Sequence, residues 1–364
     1  MLSARQKQGP PEMNIKGKYI YGIINSNALF SLSMPPDFLK GLSESDNVYP
    51  LPFKDIAALV SDAYIVDYSG MRKDALAKLL IGHQTVIEKI MPRQLAIIPM
   101  ALGTFAQDET EVLDILAKGY NLSKEIFDKI NAKMEIDIVV TLSDLNSLIK
   151  EASKEKEISE FKEKLLSNPK GITIDEQMKL GIMLGKALNK RKEEFVKRIM
   201  AKLADLSEDT RTHELMDENM VLNSAFLILK TKYQDFEKTV EELNIEFDDN
   251  LHFRCVGPLA PYSFYTLEIM KLKFEEIDWA KKRLGILNDR VSRDDLKKAY
   301  QSQAFSTHPD KKQDHVSDEF NEVNRAHKIL ADYCTAFEQT HQQEKIHLDR
   351  EMFIKNAIWV KMRK

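Results

Sequence analysis

MVLNSAFLILKTKYQDFEKTVEELNIEFDDNLHFRCVGPLAPYSF, residues 220–264, reads as a strand, a helix and a second strand in one compact β-α-β run. MVLNSAFLILKT has the apolar content of a strand, and YQDFEKTVEELN is amphipathic at helical spacing. In DNLHFRCVG, Leu251, Phe253 and Cys255 alternate with His252 and Arg254, which is expected to turn Cys255 inward. Gly257, Pro258 and Pro261 then impose a rigid, non-helical exit through GPLAPYSF. Tyr262 and Phe264 on that turn are candidate partner anchors. Aromatics so placed more often lock a chain exit onto its own core.

N-terminal to this run, a long helix begins at Thr173, whose hydroxyl and Glu176 form a T-x-x-E capping box. Met178, Ile182, Gly185, Leu188, Phe195, Ile199 and Leu203 share one face. Some 30 residues of helix would span ~45 Å, more than a small domain needs, so the helix is expected to brace two parts of the molecule. Gly181 and Gly185 have small-x-x-x-small spacing, which in a soluble helix reads as close packing before dimerisation. Further upstream, strands and helices alternate. KYIYGIINS, DIAALVSD, QLAIIPMALGTFA and KMEIDIVVTL are strands, with Ile136 and Ile138 set against Glu135 and Asp137 in the last. DIAALVSD is expected to turn Ile56, Ala58 and Val60 to one side. KDALAKLLIGHQTVIEKIM and TEVLDILAKGYNLSKEIFDKI are helices, and Leu80 and His83 fall on the apolar stripe of the first.

The domains expected are a flexible tail over 1–17, an α+β or α/β layer structure over 18–145, and a second domain over 146–265 with the long helix and the β-α-β run. A linker over 266–276, a helical domain over 277–337 and a C-terminal helix over 338–364 follow. The chain has 364 residues, 43% hydrophobic and 30% charged, with a net charge of −4, so neither general disorder nor a pull toward nucleic acid is expected. Two cysteines far apart give no disulfide framework and fit a reducing cytoplasm. The N-terminus lacks a signal-peptide core, and LAIIPMALGTFA is too short for a membrane span.

Phosphate loops, dinucleotide fingerprints, nucleophile elbows and metal-ligand spacings are missing from the sequence, so no catalytic residue, cofactor or metal is expected. His83 reads as a core histidine, since no nucleophile or carboxylate can be named beside it.

FSTHPDKKQDHVSDEFNEVNRAH, residues 305–327, sets His-Pro-Asp between two helices. Ser292 is the expected N-cap of the first, with Asp294 and Asp295 in its opening turn. Leu296, Ala299, Tyr300 and Ala304 are its buried stripe, and Lys297, Lys298 and Gln301 lie off it. Pro309 ends that helix, and Ser317 is expected to cap the next, whose inner face is Phe320, Val323, Ala326, His327 and Leu330. IDWAKKRLGI, LKKAYQSQAFSTHPDKK and DEFNEVNRAHKILADY together resemble a J domain of the DnaJ co-chaperone family over about residues 277–335. The resemblance implies an all-α helical hairpin that docks on a DnaK-type chaperone and stimulates its ATPase. It assigns that docking to His308, Pro309, Asp310, Lys297 and Lys298. Gln301, Ser302 and Ser306 replace basic residues of the family, and Gln303 an apolar one, which thins the positive face.

YIYGII, HQTVIEKIMPRQLAIIPMALGTFA, VLNSAFLILKTKYQDFEKTVEEL and CVGPLAPYSF, in that order, resemble the gas vesicle protein F/L family (GvpF/GvpL). Ala101 and Leu102 stand where that family commonly has a basic residue. The resemblance implies two α+β domains with ferredoxin-like elements and no enzymatic activity. It also implies partners among the gas vesicle shell subunit and other gas vesicle accessory proteins, and a cytoplasmic location associated with gas vesicles. Three readings stand: an assembly factor, a structural component retained on the vesicle with the J-like segment as a protein contact, and an enzyme using an interdomain pocket.

Overall fold

Tyr19 to Ile24 is an aromatic and β-branched run around one glycine, and a run buried on both faces makes a central strand. In the computed structural model, which describes residues 15–25, 47–68, 70–91, 96–167, 171–247, 250–307, 316–340 and 345–363, it belongs to β1 (Lys16–Asn25). β2 (Tyr49–Phe53) and β3 (Ile56–Tyr64) extend the sheet on one side of β1; β4 (Ile97–Pro99) and β5 (Phe105–Ala106) pair with its other edge. All pairings are antiparallel, and the register of β1 on β3 slips between Ile20 and Gly22. α1 (Lys73–Glu88) sends His83, Val86 and Ile87 into the core, and α2 (Glu109–Ile130) adds Val112, Ile115 and Leu116.

Two expectations fail here. Ile56 to Ser61 are buried without interruption instead of alternating, because both faces of β3 are covered. Leu80 is 43% exposed, at the edge of the stripe that α1 buries.

The second sheet has the order β7 (Asp209–Thr212), β8 (Met220–Leu229), β6 (Lys133–Leu142), β9 (Leu251–Leu259), again antiparallel. β6 therefore lies between the two strands of the β-α-β run, whose helix is α6 (Tyr233–Glu246); this is the split form of that unit. α3 (Leu145–Ala152), α4 (Lys156–Leu166) and α5 (Ile174–Leu203) fill the connection between β6 and β7. Thr173 Oγ1 accepts the Glu176 N–H at 3.3 Å, while the Glu176 carboxylate accepts the Thr173 N–H at 2.9 Å, so the capping box forms.

α5 has two sets of partners. Its C-terminal half places Ile199 and Leu203 against Ile136, Phe226 and Phe236. Its N-terminal half sets Ala187 against Ala152 of α3 and Ile158 of α4.

The chain then forms α7 (Tyr262–Tyr265), β10 (Leu267–Lys271), α8 (Phe274–Arg283), β11 (Arg290–Val291), α9 (Arg293–Ser306), α10 (Val316–Thr340), β12 (Ile346–His347), α11 (Arg350–Asn356) and β13 (Ile358–Met362). It divides into two compact units, Met1–Phe127 with Thr266–Lys364, and Asp128–Tyr265. The expected boundary at 145 thus falls inside the second unit, and residues 266–276 are not a free linker. Leu267 bridges to Met100, its carbonyl accepts the Ala101 N–H at 2.7 Å, and Lys271 pairs with Glu111 at 2.7 Å. Nor is 338–364 one helix, because Trp359 and Val360 pair along β10 in β13. Helix α10 is described from Val316, and the capping expected of Ser317 lies outside the described side chains.

β13 is the partner of β10 along its whole length, and Val360 packs on α2 so closely that a methyl at Gly119 would lie 3.1 Å from its Cγ1. Truncation after Ala357 is therefore expected to lower the melting temperature of the first unit and expose residues 266–273 to protease. Calorimetry with limited proteolysis checks this. An unchanged melt and digestion pattern would mean that the strand pair contributes nothing.

Candidate functional site

Leu296 anchors α9 against Val323, Ala326, Leu330 and Tyr333 of α10, while Ile277 and Ala280 of α8 close the same core. Ser292 caps α9 as expected, accepting the Asp295 N–H at 3.2 Å while Asp295 accepts the Ser292 N–H at 3.0 Å. Arg293 holds both carboxylate oxygens of Glu338 at 2.9 Å and Thr335 at 2.7 Å, a bidentate clamp between the start of α9 and the end of α10. Tyr300 donates to Asn324 at 2.9 Å, and its ring centre lies 4.2 Å from that of His327. With the hairpin held in this way, Lys297 and Lys298 stand exposed on the solvent face of α9. Lys297 also borders a 420 Å³ cavity with Arg293, Leu296, Tyr300 and His327. At the other end, Thr307 turns its hydroxyl onto the Gln303 carbonyl at 2.8 Å. His308, Pro309 and Asp310 lie outside the described residues.

GPLAPYSF has a structural explanation. Gly257 sits at φ 150° where β9 slips against β6, and a Cβ there would lie 2.7 Å from Ile136 Cδ1. The chain then folds α7 over the second face of the sheet, packing Phe264 on Ala225 and Leu227. Ser263 donates its N–H and its hydroxyl, each at 2.8 Å, to the two oxygens of Glu135, a carboxyl only 1% exposed. His213 Nε2 lies 3.1 Å from the Ser263 Oγ. Burial, and then the charge of Asp137 two residues along the strand, raise Glu135 above the usual carboxylate range, against the pull of the Ser263 donors. Asp137 is raised as well by burial, with His213 drawing it down.

The model described as gas vesicle synthesis protein GvpL/GvpF matches residues 17–266. The chain belongs to the GvpL/GvpF family. A DnaJ-domain model matches residues 282–335, which take in α9 and most of α10. Gas vesicle protein F of Nostoc sp. is 24% identical over 250 residues, covering 68% of this chain and 97% of that protein. The protein of the same name from Haloferax mediterranei is 18% identical, with 69% and 94% covered. Among solved structures, GvpF from Anabaena sp. superposes with a TM-score of 0.57 at 25% identity, covering 68% of this chain and 98% of that one. GvpF from Microcystis aeruginosa superposes at 0.55 and 21% identity with the same coverage. These relatives are spanned almost end to end within the GvpL/GvpF portion, and the DnaJ portion is additional to it.

Within that portion, His83 is another buried titratable group. Its Nδ1 lies 2.8 Å from the Tyr19 hydroxyl, which in turn accepts the Gly103 N–H at 3.4 Å. With Tyr19 donating to Nδ1, the proton of the neutral ring would sit on Nε2, which faces the Met100 backbone without a well-formed hydrogen bond. Burial pushes His83 down from 6.5 to about 4. Ala101, where the family commonly has a basic residue, uses its backbone to hold Leu267.

Cys255 contradicts its expected burial. It is exposed on edge strand β9, where α6 offers Gln234 and Glu237 around a 580 Å³ cavity. The alternation that buries Leu251 gives out because apolar cover from α6 ends near Phe253. Glu135 was the site that sequence patterning missed, since a carboxylate alternating with isoleucines reads as a solvent-facing residue. The serine of PYSF was the available signal.

The two buried groups give the two units opposite pH responses. The folded pKa of His83 lies below its unfolded value, so its contribution is whole above pH 6.5 and is lost on acidification toward 4, by up to about 3 kcal/mol. The folded pKa of Glu135 is raised, so its contribution is whole below the ordinary carboxylate range and falls as pH rises. Calorimetric melts across this window should show the two transitions moving in opposite directions; parallel movement would contradict the assignment for the unit that moves the wrong way. Separately, Ser263→Ala should cost the second unit about 1–2 kcal/mol by removing one donor from Glu135, read from denaturant melts.

Proposed function

We propose that this protein is a non-enzymatic assembly factor of gas vesicles, whose GvpL/GvpF portion binds the hydrophobic shell subunit and whose J domain recruits a DnaK-type chaperone to it. The observation that carries this reading is the presence, on one chain, of a GvpL/GvpF region and a DnaJ region. A subunit that builds a gas-filled wall exposes apolar surface before it assembles, and such surface aggregates unless it is held. An ATP-driven chaperone delivered to that client would hold it.

Further support comes from α9. Lys297 and Lys298 are both exposed on α9, which leaves their charges free for electrostatic steering toward a partner. Gln301 and Ser302 add no charge to them, so the encounter is expected to be slower than with a fully basic helix. A non-enzymatic role agrees with the polar partners of His83 and Glu135, which are Tyr19 and Ser263 within buried cores.

The test has two arms. The full chain should stimulate the ATPase of a DnaK-type chaperone, and Asp310→Asn should reduce that stimulation to background. Lys297→Glu with Lys298→Glu should weaken it and flatten its dependence on salt. Neither change should alter co-purification of the shell subunit. If Asp310→Asn stimulates like the wild type, chaperone recruitment fails; if the shell subunit never co-purifies, the client assignment fails. Retention on purified vesicles would favour the structural-component reading instead.

A further inference from the structure

Ile174, Met178 and Ile182 of α5 are 77%, 61% and 56% exposed and lie four residues apart on one face of the helix. Gly181 and Gly185 fall on the same face, and a Cβ added at either would meet nothing within 4 Å. The opposite face is also apolar and already occupied: Leu180, Met183 and Leu184 pack with Ala187 on Ala152 and Ile158. A helix apolar on both sides is one that is covered on both sides. The spacing that reads as close packing within the chain therefore meets no neighbour among the described residues, and the outward stripe calls for a partner.

We propose that this stripe is a self-association surface, on which the α5 helix of a second copy of the chain packs antiparallel. The pattern along the helix complements itself in that arrangement. With the two-fold axis between Gly181 and Ile182, each Ile182 faces the other copy's Gly181, and each Met178 faces the other copy's Gly185. At these two levels, each repeated by the two-fold, a large side chain meets a notch. Charge agrees. Asp175, Lys186 and Lys190 lie on the same flank of the stripe, and none makes an ion pair with another described residue. Lys179, also on that flank, is engaged over the Phe161 ring at 5.1 Å. The antiparallel two-fold brings each Asp175 between Lys186 and Lys190 of the other copy, twice by symmetry. Parallel two-fold packing would set this flank against the other copy's opposite flank and leave Asp175, Lys186 and Lys190 unmatched, and a partner of unrelated sequence has no reason to match this spacing. Three helical turns form a contact smaller than a standard interface of ~1,600 Å², so association belongs in the micromolar range.

Sedimentation velocity of the full chain over a concentration series tests the proposal. A monomer–dimer equilibrium is expected, with Ile182→Glu raising its dissociation constant by at least ~10-fold. Ile182 is exposed, so this variant keeps its fold, and an unchanged melt verifies that. Asp175→Lys alone should weaken the dimer, and adding Lys186→Asp with Lys190→Asp should restore it. A chain that stays monomeric throughout overturns the proposal, as does a dimer indifferent to Ile182→Glu or one not rescued by charge reversal. If the chain is monomeric and Ile182→Glu instead abolishes capture of the shell subunit, the stripe belongs to that client and the proposal is overturned.

Discussion

The hydrogen bond from the Ala101 N–H to the Leu267 carbonyl is the point on which the first unit depends. It brings the chain, on leaving the second unit, back to the edge of the first sheet beside Met100. Everything C-terminal to it inherits that position. β10 continues from Leu267, β13 pairs with β10, and α8 to α11 are the segment between those two strands. The GvpL/GvpF match ends at 266, one residue before this bond, so the junction between the two families is also the junction between the halves of one folded unit.

What the sequence made legible was whatever is decided within a few residues. The capping boxes at Thr173 and Ser292 were readable because donor and acceptor lie three positions apart. The α9–α10 core was readable for the same reason: Leu296, Val323 and Leu330 repeat at helical spacing and are buried. β10 and β13 escaped notice because each is five residues long and stabilised by a strand from the other end of the C-terminal segment. Local propensity contains no term for that pairing. The exposure of Met178 and Ile182 on α5 was not legible because periodicity reports that a face is apolar and not which side of the helix the protein covers. Of the docking residues expected from resemblance, Lys297 and Lys298 are placed on an exposed face, and the His-Pro-Asp corner lies outside the described residues.

GPLAPYSF shows how a sequence signature can be structural. Its glycine fits where no side chain would, its phenylalanine covers Ala225 and Leu227, and its serine satisfies a carboxyl that would otherwise be buried without donors. An unpaired polar group in such a place costs more than the bond returns, so the serine and the glutamate constrain one another. His83 and Tyr19 are joined by the same logic in the first unit.

The antiparallel pairing of β10 and β13 gives the J segment a mechanical property. Lys271 and Ile358 form the end of the ladder from which both chains depart into the helices, and Leu267 and Met362 form the far end. A pull that separates the two departing chains opens the ladder like a zipper, one rung at a time, under a small force. A pull on both chains together leaves the rungs intact. That load passes as shear to the Ala101–Leu267 bond and to Val360 against α2. The attachment therefore resists a pull on both chains together far better than one that separates them.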